Sequence, residues 1–262
     1  MSIKFSVEKL NIFCYDTKKE MSEEGGKEAA RLIRNAYEDK GYANLIFASS
    51  PSQLGMLSVL ANEAVDWGKV NAFHMDEYIG LGIEHKASFA NYIRENFFKK
   101  VKMNNNFYIN GLAKDIEMEC KRYADLLEQF PTDITFAGIG ENGHLAFNDP
   151  KIADFFEPRL MKVNESLDEV CRQQQLNDGW FEKLEDIPEK ALTITLSGLL
   201  RAKYFFATVP GKTKSNIIKR CLEEPISQKV PASILRLHQN AVLYIDSDSA
   251  SKLEMVKYCS AN

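Results

Sequence analysis

Residues 43–52 read ANLIFASSPS, and this stretch does most to decide the fold class. The run from Ala43 to Ala48 is almost entirely apolar, and serines and a proline follow it at once. A short apolar run without polar alternation predicts a strand covered on both faces, as in a parallel sheet between helix layers. We therefore expect a buried strand here, followed by a helix over 52–64.

The same order of strand and helix recurs on both sides of this stretch. Further apolar runs predict strands at 10–15, 69–75, 134–139, 191–196, 204–209 and 241–245. Longer segments predict helices at 20–42, 87–100, 116–130, 212–222 and 249–259. This alternation predicts an α/β fold of the doubly wound type, with a mostly parallel sheet and helices on both faces. We expect a single domain over residues 1–262.

The segment 155–188 interrupts the alternation, because it is polar and contains the sequence C-R-Q-Q-Q at 171–175. We predict a helical insertion within the domain that forms a lid over the functional site. A segment that only packs on the rim is an equally good interpretation.

Composition excludes several classes of function. The 262 residues carry a net charge of -4, which disfavours nucleic-acid binding because such proteins need a basic face. No stretch approaches the roughly 18 apolar residues of a membrane span, so we expect no membrane partner. The five cysteines are scattered and form no C-x-x-C pair, which disfavours disulfides and zinc knuckles. A reducing compartment, the cytoplasm, is the expected location.

In doubly wound sheets, ligands bind beyond the carboxyl ends of the strands, so we expect a functional site in the loops there. One such loop carries F-H-M-D-E-Y at residues 73–78. If Asp76 points into the cleft and Glu77 away from it, Asp76 can act as a general base. The alternative is an acidic N-cap at the start of a helix.

A second strand-end loop reads G-I-G-E-N-G-H-L-A-F-N-D-P at residues 138–150. It contains the letters of a dinucleotide fingerprint, but that motif must open a helix, and here a short stretch ending in Asp149 and a proline follows instead. We interpret Gly140 and Gly143 as residues that let the backbone approach a ligand and present His144. A nearby carboxylate, Asp149, suits proton transfer because it fixes the imidazole tautomer.

Two further loops favour an anion. Ser49, Ser50 and Ser52 lie at a predicted helix start, where hydroxyls either cap the helix or bind phosphate. Residues 209–215 read V-P-G-K-T-K-S, which places lysines and hydroxyls at another helix start. That loop lacks the Walker A spacing, and a capped helix with exposed lysines explains it about as well.

Together these segments resemble the glucosamine-6-phosphate deaminase (isomerase) family and its relatives, the 6-phosphogluconolactonases. The resemblance implies that Asp76 moves a proton between C2 and C1 of a sugar, and that His144 opens the sugar ring. Asp149 stands where the family usually has a glutamate that assists the histidine, and Asn142 where members have aspartate or asparagine. The remaining residues assigned by resemblance to substrate or phosphate binding are Ser49, Ser50, Ser52, Glu77, Gly140, Gly143, Arg172 and Lys214.

The chain differs from the family pattern at three places. The serine loop reads S-S-P-S where T-G-G-T or T-G-S-T is usual, and Pro51 removes one backbone donor. Asp149 is one methylene shorter than glutamate. The segment around C-R-Q-Q-Q differs from the usual lid sequence, although Arg172 falls near the family's lid arginine.

The resemblance implies an enzyme that converts an amino-sugar phosphate, such as glucosamine-6-phosphate, to the ketose phosphate and ammonia. No metal and no organic cofactor is expected, and a homo-oligomer is possible. One alternative is a 6-phosphogluconolactonase, although those relatives usually have arginine where Tyr78 stands and T-A-S-L-F after the histidine. The other alternative is a sugar-phosphate sensor without catalysis, which the acidic charge disfavours if it must bind DNA.

Overall fold

The buried strand predicted at residues 43–48 is present as Ala43–Phe47, and every residue in it is buried. The structure is a computed structural model that describes residues 2–254. The strands are β1 (Ile3–Val7), β2 (Leu10–Tyr15), β3 (Ala43–Phe47), β4 (Val70–His74), β5 (Asp76–Tyr78), β6 (Asn105–Phe107), β7 (Ile134–Ala137), β8 (Met161–Asn164), β9 (Ala191–Ile194), β10 (Tyr204–Val209) and β11 (Ala241–Asp246). The α-helices are α1 (Lys18–Lys40), α2 (Leu54–Leu60), α3 (Phe89–Asn96), α4 (Ile116–Gln129), α5 (Glu169–Asn177), α6 (Leu196–Leu200) and α7 (Ser215–Glu223).

The main sheet has eight strands in the order β1-β2-β11-β10-β7-β3-β4-β6. All neighbours in it are parallel except β1 and β2, which form an antiparallel hairpin at one edge. The predicted mostly parallel α/β fold is therefore confirmed. The edge strands β1 and β6 were not predicted, because most of their residues are exposed and neither strand has a continuous apolar run.

Successive residues of the central strands belong to two different apolar clusters. Ile46 packs into one cluster, whereas Leu45 and Phe47 pack into the other. Phe205 and Phe206 divide in the same way. Because side chains alternate between the faces of a strand, both faces of the sheet are covered, which explains why these strands are apolar throughout.

A second, smaller sheet has three antiparallel strands in the order β5-β9-β8. It contains the predicted strand at 191–196, which therefore lies outside the main sheet. Asp76 in β5 pairs with Thr193 in β9, and the backbone N–H of Ile194 donates to the carbonyl of Met75. The small sheet thus fixes the backbone at the end of β4, where the F-H-M-D-E-Y loop begins.

The segment 155–188 differs in part from the helical insertion expected for it. It contains the strand β8, the nine-residue helix α5 and a short 3₁₀ turn at Leu184–Asp186. The predicted helix at 52–64 is also shorter than expected, because Pro51–Gln53 form a 3₁₀ turn before α2. Residues 249–254 form turns, and the rest of the helix predicted at 249–259 lies outside the described residues.

None of the described helices combines the length and apolar character that a membrane crossing requires.

Candidate active site

A cavity of about 240 Å³ lies at the carboxyl ends of the parallel strands. The loops that follow β3, β4, β7 and β10 all contribute to its wall. The predicted site residues on that wall are Ser49, Ser50, Ser52, Asp76, Gly140, His144 and Lys214. The topology therefore brings together side chains that lie up to 165 positions apart in the sequence, counting from 49 to 214.

Asp76 is a buried acid on the wall of this cavity. Burial raises the pKa of its carboxyl well above the ordinary value, and the charges of Glu77 and Asp149 add to this effect. A carboxyl with a raised pKa can both accept a proton and return it near neutral pH, as a proton shuttle must.

Glu77 points away from the cavity, although it was grouped with the substrate-binding residues. Its carboxylate accepts hydrogen bonds from the Ser88 hydroxyl and from the backbone N–H groups of Tyr78, Phe89 and Ala90. The first turn of α3 supplies most of these donors, since a helix start leaves its N–H groups without partners. Glu77 thus joins β5 to α3, which corrects the sequence-based grouping.

His144 and Asn142 form a close pair beside the cavity. The Nδ1 atom of His144 lies 2.7 Å from the Asn142 carbonyl oxygen Oδ1, which also accepts from the His144 backbone N–H at 3.0 Å. The Asn142 amide nitrogen donates to Asp149 at 3.0 Å and to Asp168 at 3.4 Å. Because the amide oxygen of Asn142 can only accept a hydrogen bond, this arrangement places the proton of the neutral imidazole on Nδ1. Nε2 is then the ring nitrogen without a proton and can accept one from a substrate.

Asp149 lies behind His144 and does not line the cavity. One of its oxygens is 3.4 Å from His144 Nδ1, and the other accepts from Asn164 and from the backbone N–H of Asp168. Burial acts to raise the pKa of Asp149, but the hydrogen bonds and the charge of His144 outweigh it and lower this pKa to about 2. Asp149 is therefore an ionised carboxylate suited to stabilise a protonated imidazole.

The two glycines of this loop act through their lack of a side chain. A Cβ atom at Gly140 would lie 2.1 Å from the His144 ring, so only glycine lets the imidazole occupy its place. Gly143 has a φ of 92°, in the region that favours glycine, and it faces Ile217 and Val230 instead of the cavity. Gly140 thus fits the expected role, whereas Gly143 shapes the loop.

Other residues of the cavity wall carry hydroxyls and amines. The Ser49 hydroxyl is buried and has no hydrogen-bond partner among the described residues, whereas Ser50 and Ser52 contact each other at 2.7 Å. Lys214 is buried, and this burial lowers its pKa, although the charges of Glu141 and Asp178 act in the opposite direction. Lys18 at the start of α1 also lines this part of the cavity, although sequence analysis did not select it.

The helix α5 covers one side of the cavity, but not through Arg172. The Arg172 guanidinium donates to the carbonyls of Leu184 and Ile187, so it holds the insertion together and does not line the cavity. This corrects its assignment to phosphate binding. The insertion residues that line the cavity are Gln174, Gln175, Asp178 and Trp180.

The fold and the site define a class of protein: an α/β protein in which a carboxyl, an imidazole, amines and hydroxyls line one cavity at the carboxyl ends of the parallel strands. Residues 16–244 match the family described as glucosamine-6-phosphate isomerases/6-phosphogluconolactonase, and the chain belongs to this family.

Several relatives share most of their length with this chain. A glucosamine-6-phosphate deaminase of Streptococcus pyogenes serotype M3 is 31% identical over 231 residues, which cover 88% of this chain and 96% of the relative. The corresponding protein of Bacillus cytotoxicus is 31% identical over 242 residues, or 92% of this chain and 88% of the relative.

Solved structures show the same fold. A monomeric glucosamine-6-phosphate deaminase superposes with a TM-score of 0.83 at 30% identity, covering 92% of this chain and 98% of that one. The 6-phosphogluconolactonase of Thermotoga maritima superposes with a TM-score of 0.75 at 18% identity, covering 91% of this chain and 100% of that one. At that lower identity, the second similarity bears on the fold alone.

Proposed function

We propose that this protein converts glucosamine-6-phosphate, or a close amino-sugar phosphate, to the ketose phosphate and ammonia. The observation that carries the proposal is the shared cavity wall: Asp76 and His144 line the same cavity as Ser49, Ser50 and Lys214. Relatives named glucosamine-6-phosphate deaminase, at about 31% identity over most of both chains, support the same substrate class.

The first step in this proposal opens the sugar ring. His144 Nε2, which carries no proton in this tautomer, accepts the proton of the anomeric hydroxyl and delivers it to the ring oxygen as the bond between C1 and that oxygen breaks, which gives the open-chain aldehyde. Asn142 and Asp149 support this role, because they hold the Nδ1 side of the ring and leave Nε2 for the substrate. A general acid–base group of this kind typically contributes about 10²–10⁴-fold to a rate.

The second step moves a proton between neighbouring carbons. The Asp76 carboxylate takes the C2 proton, which gives an enolamine, and then delivers a proton to C1, which gives an imine at C2. Water adds to C2 and ammonia leaves, so the product is the 2-keto sugar phosphate. The raised pKa of Asp76, caused first by burial, supports a group that must give back the proton it takes.

The phosphate is proposed to lie against the serine loop and the two lysines. Lys214 and Lys18 provide positive charge, and the unpartnered hydroxyl of Ser49 provides a donor. Buried polar groups are normally hydrogen-bonded, so an unpartnered hydroxyl on a cavity wall favours a ligand that forms the missing hydrogen bond. Lys214 and a phosphate would form a charge-assisted hydrogen bond, which is stronger than a neutral one.

We further propose that the protein acts in the cytoplasm. The described cysteines Cys14, Cys120, Cys171 and Cys221 are all free and buried, as a reducing compartment allows. The possible homo-oligomer stays a prediction, and one similar structure is described as that of a monomeric enzyme.

The test is an assay of the purified protein against a panel of amino-sugar 6-phosphates, with detection of both ammonia and the ketose phosphate. 6-Phosphogluconolactone serves as the competing substrate, and ligand binding without turnover would identify a sensor. We expect ammonia and ketose phosphate in equal amounts from one member of the panel. Lactone hydrolysis without ammonia release would contradict the proposal.

A further inference from the structure

Cys171 lies on helix α5, is 1% exposed and has its sulfur close to the His144–Asp149 pair. A nitrogen of His144, a carboxylate oxygen of Asp149 and the Cys171 sulfur all lie within 4.8 Å of one another. The sequence pattern shows no sign of a metal ligand here, since this cysteine belongs to no C-x-x-C pair. The fold therefore assembles three metal-binding side chains that the sequence keeps apart.

The three atoms are the ligand types that zinc prefers. Zinc binds thiolate sulfur at about 2.3 Å and imidazole nitrogen or carboxylate oxygen at about 2.0–2.2 Å, which places tetrahedral ligands roughly 3.3–3.6 Å apart. The distance of 3.4 Å between His144 Nδ1 and Asp149 Oδ1 already falls in that range. Movements of about 1 Å by Cys171 would complete a three-ligand site, and water would take the fourth position.

The charges around this cluster favour a cation. Asp149 contributes a carboxylate to the cluster itself, and the Asn142 amide donates both to Asp149 and to a second carboxylate, Asp168. Asp76 adds a third carboxyl group on the wall of the cavity that His144 also lines. A divalent cation supplies the balancing charge for a thiolate beside carboxylates.

We propose that Zn²⁺ binds to His144, Asp149 and Cys171 and inhibits the enzyme. The thiol releases its proton to solvent on binding, and the imidazole takes the tautomer with its proton on Nε2, so that Nδ1 exchanges its hydrogen bond to Asn142 for the bond to the metal. Zinc then holds the imidazole that opens the sugar ring, so inhibition, unlike binding, rests on the proposed function. The site departs from the expectation that no metal binds, which considered only local sequence patterns.

The binding test uses Co²⁺ as a spectroscopic substitute for zinc. We expect one Co²⁺ per chain and a near-ultraviolet charge-transfer band from the thiolate, which Zn²⁺ then displaces. Cys171→Ala is expected to lose the band and to weaken Zn²⁺ binding by at least about 100-fold, since even outer residues of metal sites contribute 10–100-fold. Cys171→Ser keeps the side-chain volume and should lose the band as well.

Cys120→Ala is the matched control, because Cys120 is also a free buried cysteine but is absent from the ligand cluster. It should keep the band and the zinc affinity. Circular dichroism of each variant establishes that it is folded. If the band persists in Cys171→Ala, or if the folded parent protein shows no band, the proposed metal site is wrong.

The inhibition test measures turnover with and without Zn²⁺. The parent protein and Cys120→Ala should lose activity as zinc saturates the site and recover it with a chelator, whereas Cys171→Ala should keep its activity. If no member of the substrate panel is turned over, the proposed function fails, and the Co²⁺ band still decides the metal site. If turnover is normal and saturating zinc leaves it unchanged, the proposal of an inhibitory zinc site is wrong, whereas the proposed function stands.

Discussion

In one part of the cavity wall, His144 is held by Asn142 and Asp149, and both of those residues are bonded in turn to Asp168. In another part, the Ser49 hydroxyl has no described partner, and Lys214 is buried. The first part carries its own hydrogen-bond network. The second part leaves polar groups that a ligand can satisfy.

The proposed function accounts for this difference. An acid–base group must keep one tautomer and one orientation, so its neighbours have to fix it before the substrate arrives. An anion site gains affinity when the anion bonds to donors that have no other partner, so those donors must stay available. On this proposal, we expect substitutions in the first part to lower turnover and substitutions in the second part to weaken binding.

The largest expected effect is that of Asp76→Asn. The amide cannot take a proton from C2, so kcat should fall by about 10²–10⁴-fold while KM changes little. Ammonia release under saturating substrate is the measurement. Near-normal turnover in this variant would remove Asp76 from the proposed mechanism.

Lys214→Ala should weaken binding instead. Losing a charge-assisted hydrogen bond of about 1.5–3 kcal/mol lowers kcat/KM by roughly 10–150-fold, mainly through KM. Lys212→Ala is the matched control, since Lys212 precedes it in the same loop but is exposed and does not line the cavity. A fall in kcat at unchanged KM in Lys214→Ala would break the comparison.

Glu77→Gln should affect stability more than chemistry. The carboxylate accepts from Ser88 and from backbone N–H groups at the start of α3, and an amide would turn one donor toward those donors. We expect the free energy of unfolding to fall by about 1–3 kcal/mol. Urea unfolding measures this, and Glu84→Gln, at an exposed residue, serves as the control. Unchanged stability would contradict the structural role of Glu77.

The pKa of Asp149 predicts a stability change in acid. Its folded-state value of about 2 lies below the ordinary 3.8, so its ionisation stabilises the fold above about pH 4, and this stabilisation is lost as the pH falls through 2. The shift corresponds to about 2 kcal/mol. The difference in unfolding free energy between the parent protein and Asp149→Asn should therefore shrink by that amount from about pH 5 to about pH 2. A difference independent of pH would show that the network does not hold an ionised Asp149.

Local sequence was sufficient to locate Asp76 and His144. Both follow apolar runs that predict buried strands, and the carboxyl ends of parallel strands lie at one edge of the sheet. The glycines around His144 further indicated a loop in which the backbone comes close to another group, and the structure shows that group to be the imidazole itself.

Local sequence was not sufficient for residues whose role depends on tertiary packing. The orientation of Glu77 is set by its hydrogen bonds to the start of α3, and that of Arg172 by its hydrogen bonds to carbonyls of the insertion. Neither partner can be predicted from the residues next to Glu77 or Arg172 in the sequence. Lys18 reaches the cavity only because α1 begins beside the serine loop. The short strands β5 and β8 have too few residues to show a period, so the small sheet was missed.

The most direct test of the central claim is a crystal structure of Asp76→Asn with glucosamine-6-phosphate bound. We predict that the phosphate lies within hydrogen-bond distance of Lys214 and the serine loop, with C2 facing residue 76 and the ring oxygen facing Nε2 of His144. A sugar phosphate bound in the opposite direction, with its phosphate beside His144, would contradict the account, as would binding outside this cavity.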